Sequence, residues 1–523
     1  MKELIYHRHF LPAIDRFSSR TLVVDGDYRA TFRDHGERVL RCASALRRAL
    51  GIGRRDRFAV MAANSHEYLE LYHAAYLGCG IINPLNLRLA GKELDYIVRD
   101  SGTEVAFVDR HFAAAFDQAM RAAGKSPIRR TVLLGEGGAD LPHDLRYEDL
   151  LAAAEPEIPA EPEEEDAVVL MYTGGTTGLP KGVLVSQRAE MLNWYHLAMV
   201  FPIGEEQVFL MPTPIFHAAS MIPILALPAL GGTVVLAPRF DPAETLELVE
   251  RHRVTRISLV PTMLAMMLNH PGFRPERLRS LDSLVYGASP MPEALLTRLM
   301  ALYPDLELGQ GYGMTESSSI LTLLSPADHR RGGKLLRSVG RALPGIVLSI
   351  QDEDGILLPS GETGEVCARG GNYMDEYWRK ADATAEAFRG GWYHSGDAGY
   401  LDEEGYLYLV DRVKDMIVTG GENVYSIEVE NAISTHAAVA QVAVIGIPHE
   451  VWGEAVHAVV VLRAGATVTE EEIIAHARES VGGYKAPKSV EFRDQPLPLS
   501  GAMKVLKREL REPHWRGRTR RVN

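Results

Sequence analysis

Short runs of apolar and β-branched residues recur through the first two thirds of the chain, separated by segments with helical spacing. Arg57–Met61, Val105–Val108, Thr131–Leu134, Thr233–Leu236, Ile257–Val260 and Ser283–Tyr286 are such runs. Each has the length and composition of a buried strand. Among the intervening segments, Val39, Ala43, Leu46 and Leu50 repeat at helical spacing after a cap-like start at Asp34 with Glu37. Asp241-Pro242 places an N-cap residue before a proline at the first helical position. Strands alternating with helices predict an α/β domain with a largely parallel sheet.

The texture then changes twice. From about Val339, Asp354-Gly355, Ser360-Gly361 and Glu404-Gly405 punctuate short strands, which predicts hairpins and a small β unit. After Asp411 the pattern predicts helix, strand, strand, helix, strand, so a domain boundary is expected there. The expected division is an N-terminal domain over 1–410, with its β-rich part at about 336–410, and a C-terminal domain over 416–523. Ala153 to Asp166 holds seven acids and three prolines and is expected to be a surface connector. It leads into an apolar strand, Ala167 to Tyr172.

Composition narrows the classes. At ~150 residues per domain, 523 residues predict about three compact units. The 46% hydrophobic and 24% charged fractions exclude disordered, collagenous and coiled-coil chains. A net charge of -13 argues against nucleic-acid binding through the global field. The basic end (Lys507, Arg508, Arg511, Arg516, Arg518, Arg520, Arg521) reads as a solvated tail. Cys42, Cys79 and Cys367 are scattered, with no C-x-x-C spacing. That excludes a disulfide scaffold or a cysteine-rich zinc site and fits a reducing cytoplasm. The first residues lack the apolar core of a signal peptide. The uncharged stretch from Gln207 to Pro238 is long enough to suggest a membrane span. Pro212, Pro214, Pro223, Pro228, Pro238, His217 and Gly231-Gly232 interrupt it, so buried turns, a short helix and a strand are expected instead.

The strongest chemical signal is Tyr172-Thr-Gly-Gly-Thr-Thr-Gly-Leu-Pro-Lys-Gly182, set between two strands. Small residues let backbone N–H groups turn inward, the threonines add hydroxyls and Lys181 adds charge, a combination suited to a polyphosphate. It is not a Walker A loop. Gly309-Gln-Gly-Tyr-Gly313 likewise fails G-x-G-x-x-G, because Met314 occupies the last glycine position.

Further motifs follow in order: Phe216-His217, Gly287-Ala-Ser-Pro290, Gly309 to Glu316, Gly361-Glu-Thr-Gly-Glu365, Gly391-Trp-Tyr-His-Ser-Gly-Asp397, Asp411-Arg-Val-Lys-Asp415, Gly420-Gly-Glu-Asn423 and a lysine segment ending at Lys504. With the threonine-rich loop, this series resembles the adenylate-forming superfamily of acyl-CoA synthetases, peptide-synthetase adenylation domains and luciferases, over nearly the whole chain.

The resemblance implies a large N-terminal domain of mostly parallel sheets with a small β-barrel subdomain, and a small, mobile α+β C-terminal domain. It implies that ATP, Mg²⁺ and coenzyme A serve a two-step ligase. A carboxylate attacks the α-phosphate and expels pyrophosphate, and a thiol then displaces AMP. By resemblance, Lys504 bridges carboxylate and α-phosphate, Glu316 holds Mg²⁺, and Thr315 touches the α-phosphate. Thr173, Gly174, Gly175, Thr176, Thr177, Gly178 and Lys181 cradle the outer phosphates. Gly287, Ala288 and Ser289 line the adenine slot, with Tyr312 stacked on the base among Gly311, Gly313 and Met314. Asp397 and Arg412 grip the ribose. Residues 411–415 form the hinge around Lys414, and Gly420 and Gly421 approach the pantetheine arm. His217, Met221, Gly287 and Met314 wall the acyl pocket, with His217 a gate rather than a base.

Met503 departs from the family pattern, which has glycine before the lysine; glycine permits backbone angles that methionine resists. His217 stands where amino-acid-activating relatives carry an aspartate, so a neutral or apolar acid is expected, with fatty acids the expected class. A carrier-protein thiol as acceptor and a non-catalytic nucleotide- or acyl-binding relative are the alternatives. No nucleic acid or integral membrane segment is expected among the partners, and a homodimer is left open.

Overall fold

The computed structural model describes residues 2–89, 91–122, 124, 126–138, 140–173, 179–412, 416–419, 422–481, 483–501 and 503–516. Two large sheets carry most of the chain. In the nine-stranded sheet, Thr21–Asp25, Thr233–Leu236, Val208–Met211, Arg256–Leu259, Ser283–Gly287 and Glu307–Tyr312 run parallel in that order. Antiparallel strands Tyr28–Thr31 on one side and Thr322–Leu324 with Arg341–Ala342 on the other close its edges. In the eight-stranded sheet, Ala167–Thr173, Ile81–Pro84, Arg57–Met61, Val105–Asp109, Arg130–Leu134 and Leu145–Arg146 are parallel. Lys181–Ser186 and Glu376–Tyr377 extend it antiparallel.

The parallel strands are apolar on both faces because helices cover both. Val60, Val105, Phe107, Val234 and Ile257 are all buried. Helix Phe32–Arg48 starts one turn earlier than its sequence pattern suggests. Thr31 and Asp34 close a reciprocal capping box there, whereas Asp34 with Glu37 was expected to form the start. Between Gln207 and Pro238 the chain forms strand Val208–Met211, a 3-10 turn Ala218–Ser220, helix Met221–Leu230 and strand Thr233–Leu236. Among the described residues no helix is long and apolar enough to cross a membrane.

The small β unit is a four-stranded antiparallel half-barrel of Val347–Gln351, Gly364–Arg369, Tyr393–Leu401 and Leu407–Arg412. Beyond it, Val439–His449, Gly453–Leu462 and Ser489–Arg493 form a separate sheet with the hairpin Ile417–Thr419/Glu422–Val424. Helices Ser426–Ser434, Glu470–Ser480 and Lys507–Trp515 belong to this smaller α+β domain. It has its own core around Val429, Ile433, Val444, Val456 and Ile473. The short hairpin and the last helix are additional to the elements expected from the pattern.

Candidate functional site

Parallel sheets bind ligands at the carboxyl ends of their strands, where backbone groups are not consumed by the ladder. Three parallel strands of the nine-stranded sheet end in motif residues. Val208–Met211 leads to His217, Ser283–Gly287 to Ala288 and Ser289, and Glu307–Tyr312 to Met314, Thr315 and Glu316. Gly287 faces Gly311 across the ladder, and a Cβ on Gly287 would lie 2.2 Å from the Gly311 carbonyl oxygen. Only glycine fits there. A Cβ on Gly313 would lie 2.1 Å from the Ser319 carbonyl oxygen. Ala288 holds a left-handed backbone, φ 63°, a strained choice for a residue with a Cβ.

The turn Thr315–Ser317 is fixed by buried amides. Asn193 Nδ2 donates to the Ile320 carbonyl at 2.8 Å, and Asn372 Nδ2 donates to the Ser317 carbonyl at 2.9 Å. The Tyr377 hydroxyl donates to Glu316 Oε1 at 2.8 Å, and Lys181 Nζ lies 4.5 Å from the centre of the same tyrosine ring. Tyr377 therefore joins the lysine of the threonine-rich loop to the acid that ends the Gly309–Glu316 motif. Thr173 and Lys181 pair across adjacent antiparallel strands, which pinches the loop ends together. Gly174, Gly175, Thr176, Thr177 and Gly178 lie outside the described residues, as do Lys414, Gly420 and Gly421.

On the half-barrel, the Tyr312 hydroxyl donates to Asp397 Oδ2 at 2.8 Å. Asp397 and Arg412 are register partners on neighbouring strands. The Ser395–Asp397 turn is organised by Glu365, whose Oε1 accepts from the Gly396 N–H at 2.9 Å, and by Ser395 Oγ, which accepts from the Asp397 N–H at 3.0 Å.

The segment carrying His217 is pinned from behind. Asn64 Nδ2 donates to the Thr213 carbonyl and its Oδ1 accepts from the Ile215 N–H, both at 2.9 Å. Tyr72 donates to the Ile215 carbonyl at 2.8 Å. Met221, 0% exposed, opens a helix whose first eight residues are all buried and uncharged. Met314 is half-buried against the same large core. His217 Nε2 is buried without a hydrogen-bond partner. Burial, reinforced by the nearby Lys504 ammonium, pushes the imidazole down to about 3, so it stays neutral at ordinary pH.

Lys504 reaches this place from the smaller domain on a tight hairpin. The Ser500 N–H donates to the Lys504 carbonyl at 2.7 Å, and the Met503 N–H to the Ser500 carbonyl at 2.9 Å. Leu499 and Val505 bridge behind them. Arg88 donates to the Leu499 carbonyl, and Gly501 sits against Asn86, so the hairpin rests on the N-terminal domain. Met503 has φ 60°. That is the left-handed position where short hairpins favour glycine. Its side chain packs against the cluster that includes Ile257, Leu259, Leu284 and Tyr286. The methionine thus accepts backbone strain while anchoring the lysine loop. A ranking follows. Met503→Ala keeps the strain and loses the anchor, and it is expected to slow acyl-adenylate formation by about tenfold. Met503→Gly loses both and should stay within about threefold of the parent. Pyrophosphate release in the two variants checks this; alanine performing as well as glycine would contradict it.

Tyr377, Glu365, Asn64, Asn193 and Asn372 carry much of this geometry and were not singled out from the sequence. Glu365 ends the Gly361–Glu365 motif, which is the signal it carries in the sequence. The asparagines had none, since a polar residue in an apolar segment does not reveal which carbonyls it meets.

Glycine-bearing motifs at strand ends, a lysine hairpin brought from the smaller domain to His217 and the uncharged helix that Met221 opens are the features of an adenylate-forming enzyme. The chain belongs to the AMP-binding enzyme family, whose main domain matches residues 11–378 and whose C-terminal domain matches residues 428–504. It is 37% identical over 495 residues to a feruloyl-CoA synthase of an Amycolatopsis species, covering 94% of this chain and 95% of the relative. It is 36% identical over 498 residues to the fatty acid–[acyl-carrier-protein] ligase ScoC of Streptomyces coeruleorubidus, covering 92% and 91%. Among solved structures, ATP-bound MatB from Rhodopseudomonas palustris superposes with a TM-score of 0.86 at 28% identity, covering 99% of each chain.

Proposed function

We propose that the protein is an ATP-dependent acyl-CoA ligase for neutral or apolar carboxylic acids, working through an acyl-adenylate and releasing AMP and pyrophosphate. The observation that carries this is Lys504 beside His217, next to the uncharged helix that Met221 opens. Glu316, Tyr377 and Lys181 form one cluster of polar groups, and Tyr312 with Asp397 forms another.

The first step brings two anions together, at a cost of ~4 kcal/mol at 4 Å in a protein-like dielectric. Lys504 offsets this by lying between the carboxylate and the α-phosphate, where charge develops. The segment Thr173 to Lys181 cradles the outer phosphates. Gly287, Ala288 and Ser289 admit the adenine, Tyr312 stacks on it among Gly311, Gly313 and Met314, and Asp397 with Arg412 holds the ribose hydroxyls. Thr315 touches the α-phosphate.

Glu316 suits a Mg²⁺ ion, because it offers a half-buried carboxylate already oriented by Tyr377 and Mg²⁺ takes one or two carboxylates plus phosphate oxygens. Bound there, the ion would supply charge neutralisation for the phosphates. Tyr377→Phe removes the orienting hydrogen bond. It is expected to slow adenylation by about tenfold and to raise the Mg²⁺ concentration needed for half-maximal pyrophosphate release. An unchanged Mg²⁺ requirement would remove Tyr377 from this role.

The smaller domain comprises residues 416–523 and turns about 411–415 at Lys414, withdrawing Lys504 so that a thiol can enter past Gly420 and Gly421. A thiol of pKa ~8.5 is nucleophilic enough to need no protein nucleophile. The neutral His217 and the buried Met221 support an apolar acyl group, in keeping with relatives named for ferulate and fatty acids. Three free, buried cysteines suit the reducing cytoplasm. A pyrophosphate-release screen over carboxylic acids tests the reading. Fatty or arylalkenoic acids should be turned over and amino acids and short dicarboxylates should not; the reverse order, or a flat response, would overturn it. The carrier-protein ligase among the relatives makes an acyl carrier protein the competing acceptor, to be run beside coenzyme A.

A further inference from the structure

Three groups of side chains among the described residues have the composition of a metal site. Two of them are already satisfied. Glu365 Oε2 receives His394 at 2.8 Å and Arg389 at 2.8 Å, beside Cys367. His66 Nδ1 and Asp25 Oδ2 meet at 2.8 Å, next to Glu67. The third differs. His457 lies on strand Gly453–Leu462, Glu491 on the adjacent parallel strand Ser489–Arg493, and His514 on the terminal helix Lys507–Trp515. One ligand atom from each lies within 4.8 Å of the others.

We propose that His457, Glu491 and His514 bind one divalent transition-metal ion of the zinc and cobalt class, outside the nucleotide and acyl sites. His457 is only 6% exposed, and its Nε2 is buried without a hydrogen-bond partner. Its other nitrogen, Nδ1, meets Ser489 Oγ at 2.7 Å. The tautomer that donates its Nδ1 proton to Ser489 leaves the Nε2 lone pair facing the Glu491 carboxylate, whose Oε2 is 3.9 Å away. That separation is too long for a hydrogen bond. In that tautomer a cation turns an unfavourable pair of lone pairs into a favourable one.

The chemistry fits a metal in three further ways. Two imidazoles and one carboxylate suit zinc, with water as a fourth ligand. Ser489 can serve as the outer partner of a ligating histidine by accepting its Nδ1 proton. Around a tetrahedral ion with bonds of ~2 Å, ligand atoms sit about 3.3 Å apart, so closing the 3.9 Å gap needs only about half an ångström. Glu470 adds negative potential, and Arg493 approaches Glu491 by Oε1, at 3.8 Å, away from the Oε2 that faces His457.

The site joins the terminal helix to the sheet. That helix begins three residues after Lys504 and is docked independently by Lys507 to Glu430 at 2.6 Å and by Trp515 to the Gly446 carbonyl at 3.0 Å. Removing one ligand should therefore leave the fold intact.

The test uses the untagged full-length chain, stripped of metal and titrated with Co²⁺ and then Zn²⁺ near about pH 7.5. The parent should bind one equivalent more than His514→Ala, with a tetrahedral Co²⁺ absorption that the variant lacks. Zn²⁺ should raise the thermal midpoint of the parent and not of the variant. Glu491→Gln, which keeps side-chain size, should bind Co²⁺ at least ~10-fold more weakly. Equal stoichiometry in the parent and both variants at about 100 μM metal would overturn the proposal. Neither result depends on the ligase reading, since no substrate is present.

Discussion

Lys504→Ala should lower the rate of acyl-adenylate formation by about 1000-fold while thioester formation from supplied acyl-AMP stays within a few-fold of the parent. The size follows from the charge. About 4 kcal/mol of anion repulsion left unscreened corresponds to roughly three decades in rate. The selectivity follows from the geometry. In the proposed mechanism Lys504 acts while its hairpin rests on Asn86 and Arg88 and its ammonium lies beside His217, and it leaves for the second half-reaction. Single-turnover measurements of each half-reaction on a folded variant decide the matter. Equal losses in both would point to a structural defect and remove Lys504 from the chemistry.

The second large effect belongs to Asp397. Its carboxylate accepts from Tyr312 at 2.8 Å, and its backbone N–H is set by Ser395 Oγ at 3.0 Å. The same group is proposed to take the ribose hydroxyls. Hydrogen bonds to a charged acceptor contribute about 1.5–3 kcal/mol each. Asp397→Ala is therefore expected to raise the KM for ATP by about 100-fold, equivalent to ~2.8 kcal/mol. Asp397→Asn, which keeps one acceptor oxygen, should cost about tenfold. The KM for the carboxylic acid should move little in either variant, because Asp397 lies on the half-barrel and not on the wall formed by Met221 and His217. An ATP KM unchanged in Asp397→Ala would place the ribose elsewhere.

Much of this arrangement can be read before the fold is known, for a physical reason. Strands buried on both faces, such as Arg57–Met61 and Thr233–Leu236, need continuous apolar runs, and they stand out. The carboxyl ends of Ser283–Gly287 and Glu307–Tyr312 hold motif residues, where the ladder releases backbone groups. What escapes is whatever depends on contacts across distant segments. Tyr377 is one tyrosine among 20, and only its bond to Glu316 gives it meaning. The start of helix Phe32–Arg48 is another case, since Thr31 competes with Asp34 as the cap and the box forms around both. Met503 is legible by half. Its departure from glycine is plain in the chain, but its left-handed φ of 60° and its packing on the neighbouring domain emerge only in three dimensions. With methionine at 503, Lys504 still lies beside His217.

The measurement that bears most directly on the central claim is exchange of labelled pyrophosphate into ATP with no thiol present. An enzyme that makes an acyl-adenylate first must run this exchange whenever a suitable acid and Mg²⁺ are supplied. The expected result is strong exchange with a fatty or arylalkenoic acid, none without acid, and AMP rather than ADP as the nucleotide product once coenzyme A is added. Exchange that requires coenzyme A, or release of ADP and phosphate, would contradict the account.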